Sequence, residues 1–275
     1  MEVNEILKIK SYQIIIPKKN LDEFKKEKSR LLILPSGSNN FDEILGGGFR
    51  QGTTYLIFGA NRTGKTQLSH QLCIHAFNNF SKLFKSLRIK HLKFVYYFDT
   101  ENTFRPERLK ELAVAAGFED IKILESILVS KIMSNSAFLL SLKNLEKIVE
   151  KSHVAVLIID TINNHYNSEL ADKTLSFNKA KERFLKILIK INTLTKKYNL
   201  ITIVLAQVTS NLGKEIVIPV LPVGNQILNH FFSEYIFLEY KNENQRYIHI
   251  VNSLNLPEKR LQYKITSAGI QDYEI

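Results

Sequence analysis

The 275-residue sequence predicts an α/β protein whose central sheet is mostly parallel, flanked by helices, and extended by antiparallel strands near the C-terminus. Unbroken apolar runs at 153–161 and 200–207 indicate strands that are covered on both faces, as in a parallel sheet. A glycine-rich loop at 59–66 stands between a β-branched and aromatic run and a stretch of helical spacing. Alternating polar and apolar residues predict the antiparallel strands, at 235–239, 247–251 and 261–265.

Residues 1–30 predict a short basic N-terminal extension, and residues 31–275 one main domain. Lysines interrupt the short apolar pieces of the extension at positions 8, 10, 18, 19, 25, 26 and 28. We expect a small strand at 12–16 and a short basic helix that begins near Asn20, because Asn and Asp are typical of helix caps. The basic face is either a solvated surface or a contact for nucleic acid or a partner protein.

Two further features flank the glycine-rich loop. Phe41, Ile44 and Leu45 fall on one face of a predicted helix, which ends at the glycines 46–48. Residues 82–93 form a second basic stretch ahead of the next predicted strand.

The glycine-rich loop, GANRTGKT, fits the P-loop pattern G-x-x-x-x-G-K-[ST] in the strand, loop and helix order that this motif requires. Glycines at its ends permit tight turning, so that successive backbone N–H groups and the new helix N-terminus face a polyphosphate. In such a site Lys65 reaches the β- and γ-phosphates, and the Thr66 hydroxyl holds Mg²⁺. The predicted contacts are Gly59, Ala60, Asn61, Arg62, Thr63, Gly64, Lys65 and Thr66.

Two predicted strands deliver acidic residues to the carboxyl edge of the sheet, where α/β folds place their ligands. The strand at 94–99 leads into DTENTFRPERL. Glu101 in this segment is either a base for a water that attacks the γ-phosphate or part of a surface turn. Asp160 ends the apolar run at 153–161 in the Walker B arrangement, in which the acid holds Mg²⁺ through its water shell.

The following segments predict a helix, a strand and a loop. Residues 177–198 carry apolar side chains at helical spacing with Arg183 and lysines opposite, which predicts an amphipathic helix packed on the sheet. The strand at 200–207 ends in Gln207, which is placed to sense a γ-phosphate. Residues 208–225 are punctuated by Pro and Gly and are long enough to form a functional mobile loop.

Composition limits the classes of protein that the chain can belong to. With 44% hydrophobic and 24% charged residues, we expect a soluble protein with a substantial core. The net charge of +11 favours polyanion partners such as nucleic acid, with solvated lysine-rich faces as the alternative. Cys73 is the only cysteine, which excludes an intrachain disulfide, and we expect it in the core.

No apolar run approaches the roughly 20 residues that a membrane-spanning helix needs, and the N-terminus lacks a signal-peptide core. We therefore expect a cytoplasmic protein, associated with the nucleoid, that has no membrane partner.

Six segments resemble, in order and spacing, the ATPase core of the RecA-like recombinases, most of all the archaeal RadA and eukaryotic recombinase branch. They span residues from about 31 to 258 and read LPSGSNNFDEILGGGFRQG, GANRTGKTQLSHQL, FDTENTFRPERL, LIIDT, LAQV and NLPE. The resemblance implies a RecA-like P-loop NTPase core, an ATP and Mg²⁺ site, and work in homologous recombination or DNA repair. It also implies roles for particular residues. Glu101 stands at the catalytic glutamate, Arg108 at the arginine that packs on adenine, Gln207 at the switch glutamine and Asp160 at the Walker B acid.

Several positions depart from the pattern of that family. Only about 30 residues precede the core, so we do not expect the family's N-terminal helix-hairpin-helix domain. KKNL at 18–21 stands where the family has an aromatic-x-x-alanine segment that inserts into the next subunit. Asn167 stands at an arginine of the first DNA-facing loop, and Lys214 is the only base of the second. Asn252 and Leu254 replace an aspartate and a proline near the nucleotide cap.

These departures favour a RadA paralogue that binds single-stranded DNA and assists or modulates a RadA-type recombinase or other repair proteins. Such a protein would not form ordinary recombinase filaments. Two alternatives stay open: a full strand-exchange recombinase whose subunits are joined by another contact, and a nucleotide-gated regulatory module without a direct DNA role.

Overall fold

The computed structural model describes residues 32–85, 93–118, 120–152, 154–172, 175–211, 218–242 and 245–273. The segment Ile33–Ile275 forms one compact unit. The predicted extension at 1–30, with its strand and helix, lies outside the described residues, as do positions 86–92 of the second basic stretch. The division between extension and core stays a prediction.

Thirteen strands are found in the described part of the chain. In order they are β1 (Ile33–Leu34), β2 (Phe49–Arg50), β3 (Thr54–Phe58), β4 (Val95–Asp99), β5 (Ile127–Lys131), β6 (Val156–Asp160), β7 (Ile201–Ala206), β8 (Val208–Ser210), β9 (Val220–Pro222), β10 (Glu234–Asn242), β11 (Gln245–Ser253), β12 (Lys259–Thr266) and β13 (Gly269–Asp272).

Eight helices accompany these strands in the same part of the chain. They are α1 (Asn39–Ile44), α2 (Lys65–Lys85), α3 (Pro106–Ala115), α4 (Asp120–Glu125), α5 (Asn135–Val149), α6 (Asn164–Ala171), α7 (Phe177–Tyr198) and α8 (Asn225–Leu228).

Nine of the strands form the central sheet, in the order β13-β12-β11-β10-β3-β7-β6-β4-β5. The six strands from β10 to β5 are mutually parallel, and β11, β12 and β13 continue the sheet in antiparallel fashion. Every residue of β3, β4, β6 and β7 is buried, which explains their unbroken apolar sequences. The predicted fold class, a mostly parallel sheet with antiparallel C-terminal strands, is confirmed.

The register of the parallel strands aligns their carboxyl ends. Asp99 at the end of β4 pairs with Asp160 at the end of β6, and Phe58 of β3 pairs with Ala206 of β7. The loop at 59–66 and the residues that follow β4, β6 and β7 therefore emerge at one edge of the sheet.

Helix α7 covers one face of the sheet, as its spacing predicts. Its inner face buries Ala180, Phe184, Ile187, Leu188, Ile191 and Leu194. The Ser176 hydroxyl accepts a hydrogen bond from the Lys179 N–H, which caps the N-terminus. Asn199, at φ 50°, ends the helix in the left-handed conformation that Asn tolerates.

The segment predicted as a mobile loop contains regular structure at both ends. Val208–Ser210 and Val220–Pro222 pair antiparallel as β8 and β9, while residues 212–217 between them lie outside the described part. Cys73 is buried in the core, as expected. Among the described residues, no helix is both long and apolar enough to cross a bilayer.

Candidate nucleotide-binding site

The P-loop packs tightly against strands β10 and β12 of the central sheet. A Cβ atom on Gly59 would clash with the backbone oxygen of Leu238 in β10. Gly64 has φ +90°, and a Cβ there would lie 2.7 Å from the Ile265 Cδ1 atom of β12. Gly59 therefore requires glycine because the clashing atom belongs to the backbone, whereas Gly64 favours glycine because L side chains rarely adopt its positive φ.

Two hydrogen bonds from side chains of β11 and β12 hold the middle of this loop. The Tyr263 hydroxyl donates to the Thr63 carbonyl at 2.5 Å, and Arg246 Nε donates to the Arg62 carbonyl at 3.2 Å. Burial raises the pKa of Tyr263, so its hydroxyl stays protonated and keeps donating. The sequence predicts strands β11 and β12 but gives no sign that they support the P-loop.

Lys65 folds back over the loop that precedes it. Its ammonium donates to the carbonyl oxygens of Gly59, at 2.7 Å, and Ala60, at 3.0 Å. Burial lowers the pKa of Lys65, an effect that the nearby carboxylates of Asp160 and Glu101 oppose. An ammonium has three donors, so one N–H remains for an anion at the loop. This arrangement suits a phosphate.

The side chains of Thr66 and Asp160 meet at the end of the P-loop. The Thr66 hydroxyl donates to Asp160 Oδ2 at 2.9 Å, and the Tyr97 hydroxyl donates to the same oxygen at 2.8 Å. Asp160 is 1% exposed, and burial raises its pKa to about 6. A hydroxyl and a buried carboxylate are the hard oxygen donors that Mg²⁺ prefers, and a cation there would offset the cost of burying the charge. The residues therefore fit the predicted Mg²⁺ ion.

Glu101 lies on the loop after β4, close to the ends of β6 and β7. Its Oε1 atom accepts hydrogen bonds from the Thr161 hydroxyl at 2.6 Å and from Gln207 Nε2 at 2.7 Å. The structure thus brings Glu101 and Gln207 into contact, although 106 positions separate them in the chain. The carboxylate faces other strand ends rather than forming an isolated surface turn.

Two residues that the sequence analysis did not assign hold this region together. The Asp99 carboxylate accepts hydrogen bonds from the backbone N–H groups of Glu101, Thr103 and Phe104, at 3.2, 3.0 and 3.0 Å. His70 Nε2 accepts from the Arg105 N–H at 3.2 Å, so Nδ1 carries the proton and donates to the Thr66 carbonyl. Burial lowers the pKa of His70, which favours this neutral form.

Arg108 is anchored beside the first turn of α2. Its guanidinium donates to Gln67 Oε1 at 2.9 Å, to Glu111 Oε2 at 2.8 Å and to the Thr266 carbonyl at 3.2 Å. Together with Val114 it lines a cavity of about 550 Å³. This position next to the P-loop helix is compatible with contact to a nucleotide base. Leu254, which the resemblance places near the nucleotide cap, is 80% exposed.

Comparison with known proteins places this site in context. Residues 27–273 match the family model described as Rad51. The chain is 28% identical over 252 residues to a protein of Ignicoccus hospitalis named DNA repair and recombination protein RadA, covering 92% of this chain and 76% of that protein. It is 27% identical over 258 residues to a human protein named meiotic recombination protein DMC1/LIM15 homolog, covering 91% and 73% of the two chains.

The burial of Asp160 predicts that Asp160→Asn stabilises the metal-free protein. Burial raises the pKa of Asp160 in the folded protein to about 6, from 3.8 for the unperturbed acid. The stability that the protonated acid contributes is therefore complete below pH 3.8 and is lost as the pH rises through 6. Asn removes the charge and still accepts from Thr66 and Tyr97. We expect the variant to be more stable at pH 7.5 by up to about 3 kcal/mol, since each pKa unit corresponds to 1.36 kcal/mol.

Urea unfolding of the Mg²⁺-free and nucleotide-free protein at several pH values measures this difference. The gap between variant and wild type should shrink as the pH falls through 6. Asp99→Asn is the matched control and should destabilise, because the Asp99 charge receives three backbone N–H groups. An Asp160→Asn protein less stable than wild type at pH 7.5 would show that the buried charge is well compensated.

Proposed function

Because this chain belongs to the Rad51 family, whose model matches residues 27–273, we propose that it is an ATPase that binds single-stranded DNA and modulates homologous recombination and DNA repair. One observation carries the proposal: the P-loop lysine, the Thr66–Asp160 pair and the Glu101–Gln207 pair converge at one edge of the sheet. These are the groups that phosphoryl transfer from ATP to water requires. The finer assignment, a modulating paralogue, rests on the departures from the family pattern.

Residues 59–66 form the proposed binding loop for the phosphate chain of ATP. Lys65 already donates to carbonyl oxygens at the start of this loop, and phosphate oxygens are stronger acceptors than carbonyls. Thr66 and Asp160 are the residues that would hold Mg²⁺, which neutralises charge on the β- and γ-phosphate oxygens when it is bound. Arg108 is the proposed contact of the adenine.

Glu101 is the proposed general base. One of its carboxylate oxygens is engaged by Thr161 and Gln207, which leaves the other to accept a proton from water. The water oxygen then bonds to the γ-phosphorus as the bond to the ADP oxygen breaks, giving ADP and inorganic phosphate. Gln207 donates to this base and directly precedes β8, and its proposed role is to sense the γ-phosphate.

The net charge of the chain and the names of its relatives support DNA as the partner. The net charge of +11 attracts polyanions, and the two relatives are named for DNA repair and recombination and for meiotic recombination. The sequence KKNL in place of an aromatic anchor, and the single base Lys214 in the second DNA-facing loop, support a modulating role over strand exchange. A RadA-type recombinase is the proposed partner protein.

Lys65→Ala and Glu101→Gln should each lower Mg²⁺-dependent ATP hydrolysis by at least about 100-fold, because positioning and charge stabilisation supply most of the catalysis. Lys65→Ala should also weaken ATP binding, whereas Glu101→Gln should largely keep it. Phosphate release and nucleotide titration measure the two effects, with the exposed Lys147→Ala as a control for the loss of a lysine. Equal turnover by wild type and Glu101→Gln would refute the catalytic assignment.

Binding of single-stranded DNA should be mostly electrostatic, with a logarithm of affinity that falls linearly with the logarithm of salt concentration. Changing Lys82, Lys85 and Lys90 to Gln should lower the magnitude of this slope by up to about 2, at about 0.7 for each lost phosphate contact. The matched control changes Lys186, Lys190 and Lys197, each of which is paired with a glutamate. Fluorescence anisotropy measures both. Equal slopes for the two triple variants would place the DNA site elsewhere.

The protein alone should form no long filaments and should support little strand exchange. A buried aromatic anchor contributes several kcal/mol to an interface. Lys18 and Lys19 in its place would carry charge into a desolvated pocket, which is unfavourable. Electron microscopy with ATP, Mg²⁺ and single-stranded DNA, together with a joint-molecule assay, tests this expectation. Long helical filaments and efficient joint molecules without a partner recombinase would favour a genuine strand-exchange enzyme.

A further inference from the structure

The polar residues at the start of α6 tie it to several neighbouring strand ends. Asn163 Nδ2 donates to the carbonyls of Gln207 and Val223, at 2.9 and 3.1 Å, and its Oδ1 accepts from the Gln207 N–H. Asn164 Nδ2 donates to the Thr100 carbonyl at 2.6 Å. These contacts fix α6 relative to the ends of β4 and β7.

Asn167 lies on α6 close to the contact between Asn163 and Gln207. It bonds to the Gln207 side chain, whereas Asn163 bonds to the Gln207 backbone. Its Nδ2 atom donates to Gln207 Oε1 at 3.1 Å. Gln207 Nε2 in turn donates to Glu101 Oε1 at 2.7 Å. The three side chains thus form a directed chain of hydrogen bonds from α6 to the proposed catalytic carboxylate.

The direction of this chain follows from chemistry. An ionised carboxylate only accepts hydrogen bonds, so the Gln207 amide must turn its nitrogen toward Glu101 and its oxygen toward Asn167. That oxygen needs a donor, which Asn167 supplies. A residue at 167 that can only accept would oppose the orientation of Gln207 that serves Glu101.

The same geometry leaves Asn167 Oδ1 buried without a hydrogen-bond partner. An unpaired buried acceptor lowers stability, so Asn is a poor choice for this position if the side chain only has to fill space. The hydrogen bond to Gln207 gives the Asn167 amide a role other than filling space.

We propose that Asn167 is a positioning residue of the ATPase site. It holds the Gln207 amide in the orientation that donates to Glu101 and so keeps the other carboxylate oxygen directed toward water. The inference rests on the proposed ATPase function and names a residue that acts through Gln207 without touching the substrate.

The near-isosteric Asn167→Asp tests it, because Asp replaces the donor by an acceptor. We expect kcat for ATP hydrolysis without DNA to fall by at least about tenfold, a part of the 10²–10⁴ that a positioned base contributes, with KM for ATP unchanged within about twofold. Asn167→Ser keeps a donor and should recover part of the loss. Thr193→Asp adds the same charge at an exposed position of α7 and should leave kcat and KM unchanged.

A second measurement does not depend on turnover. In protein labelled with ¹⁵N-glutamine, the side-chain NH₂ signals of Gln207, identified by their loss in Gln207→Ala, should shift in Asn167→Asp and stay in place in Thr193→Asp. Unchanged kcat or unchanged Gln207 signals in Asn167→Asp would overturn the inference. If wild-type protein hydrolyses no ATP, the proposed function fails on its own. The Gln207 signals then decide whether Asn167 orients that amide.

Discussion

Parallel pairing of β3, β7, β6 and β4 is the constraint on which the rest of the site depends. Each of these strands is fully buried, so its hydrogen-bonding groups are satisfied only by its neighbours and its register is strongly specified. Because Asp99 pairs with Asp160, the loop that carries Glu101 begins beside the end of β6. A slip of one residue would turn Asp160 to the opposite face of the sheet and away from Thr66.

Strands β10 and β12 supply the second requirement, a rigid base for the P-loop. The Leu238 backbone leaves no room for a side chain at Gly59, Ile265 packs against Gly64, and the Tyr263 hydroxyl donates to the Thr63 carbonyl. Rigidity matters because a loop that binds phosphate through its backbone must already have its N–H groups in position. The buried carboxylate of Asp160 carries a cost in stability, which the proposed Mg²⁺ ion would offset when bound.

Local sequence patterns account for much of this structure. Apolar runs predict β3, β4, β6 and β7, and the helical spacing of α7 predicts its bounds, because these elements are long or fully buried. β13 has only four residues, and β5 is half exposed at the edge of the sheet, so the first pattern is too short and the second too mixed to identify. The segment 208–225, expected to be a loop, forms β8 and β9 because its ends pair with one another.

Local sequence patterns predict the strands and helices of the site better than they predict its side-chain contacts. Tyr97 and Asp160 are 63 positions apart, and Asn167 and Gln207 are 40 apart, so only the folded sheet brings them together. On sequence alone Asn167 stands at an arginine of the family pattern, whereas in the structure its side chain donates to Gln207. Asp99 likewise reads as one acid among several, although it fixes the backbone of the loop that carries Glu101.

A crystal structure with Mg²⁺ and a non-hydrolysable ATP analogue tests the central claim most directly. We expect the triphosphate to lie along residues 59–66, with Lys65 turned from the Gly59 carbonyl to the phosphates. We also expect Mg²⁺ beside Thr66 and Asp160, and Glu101 one water from the γ-phosphorus. A nucleotide bound away from the P-loop, or a Glu101 carboxylate turned out of reach of that water, would contradict the central claim.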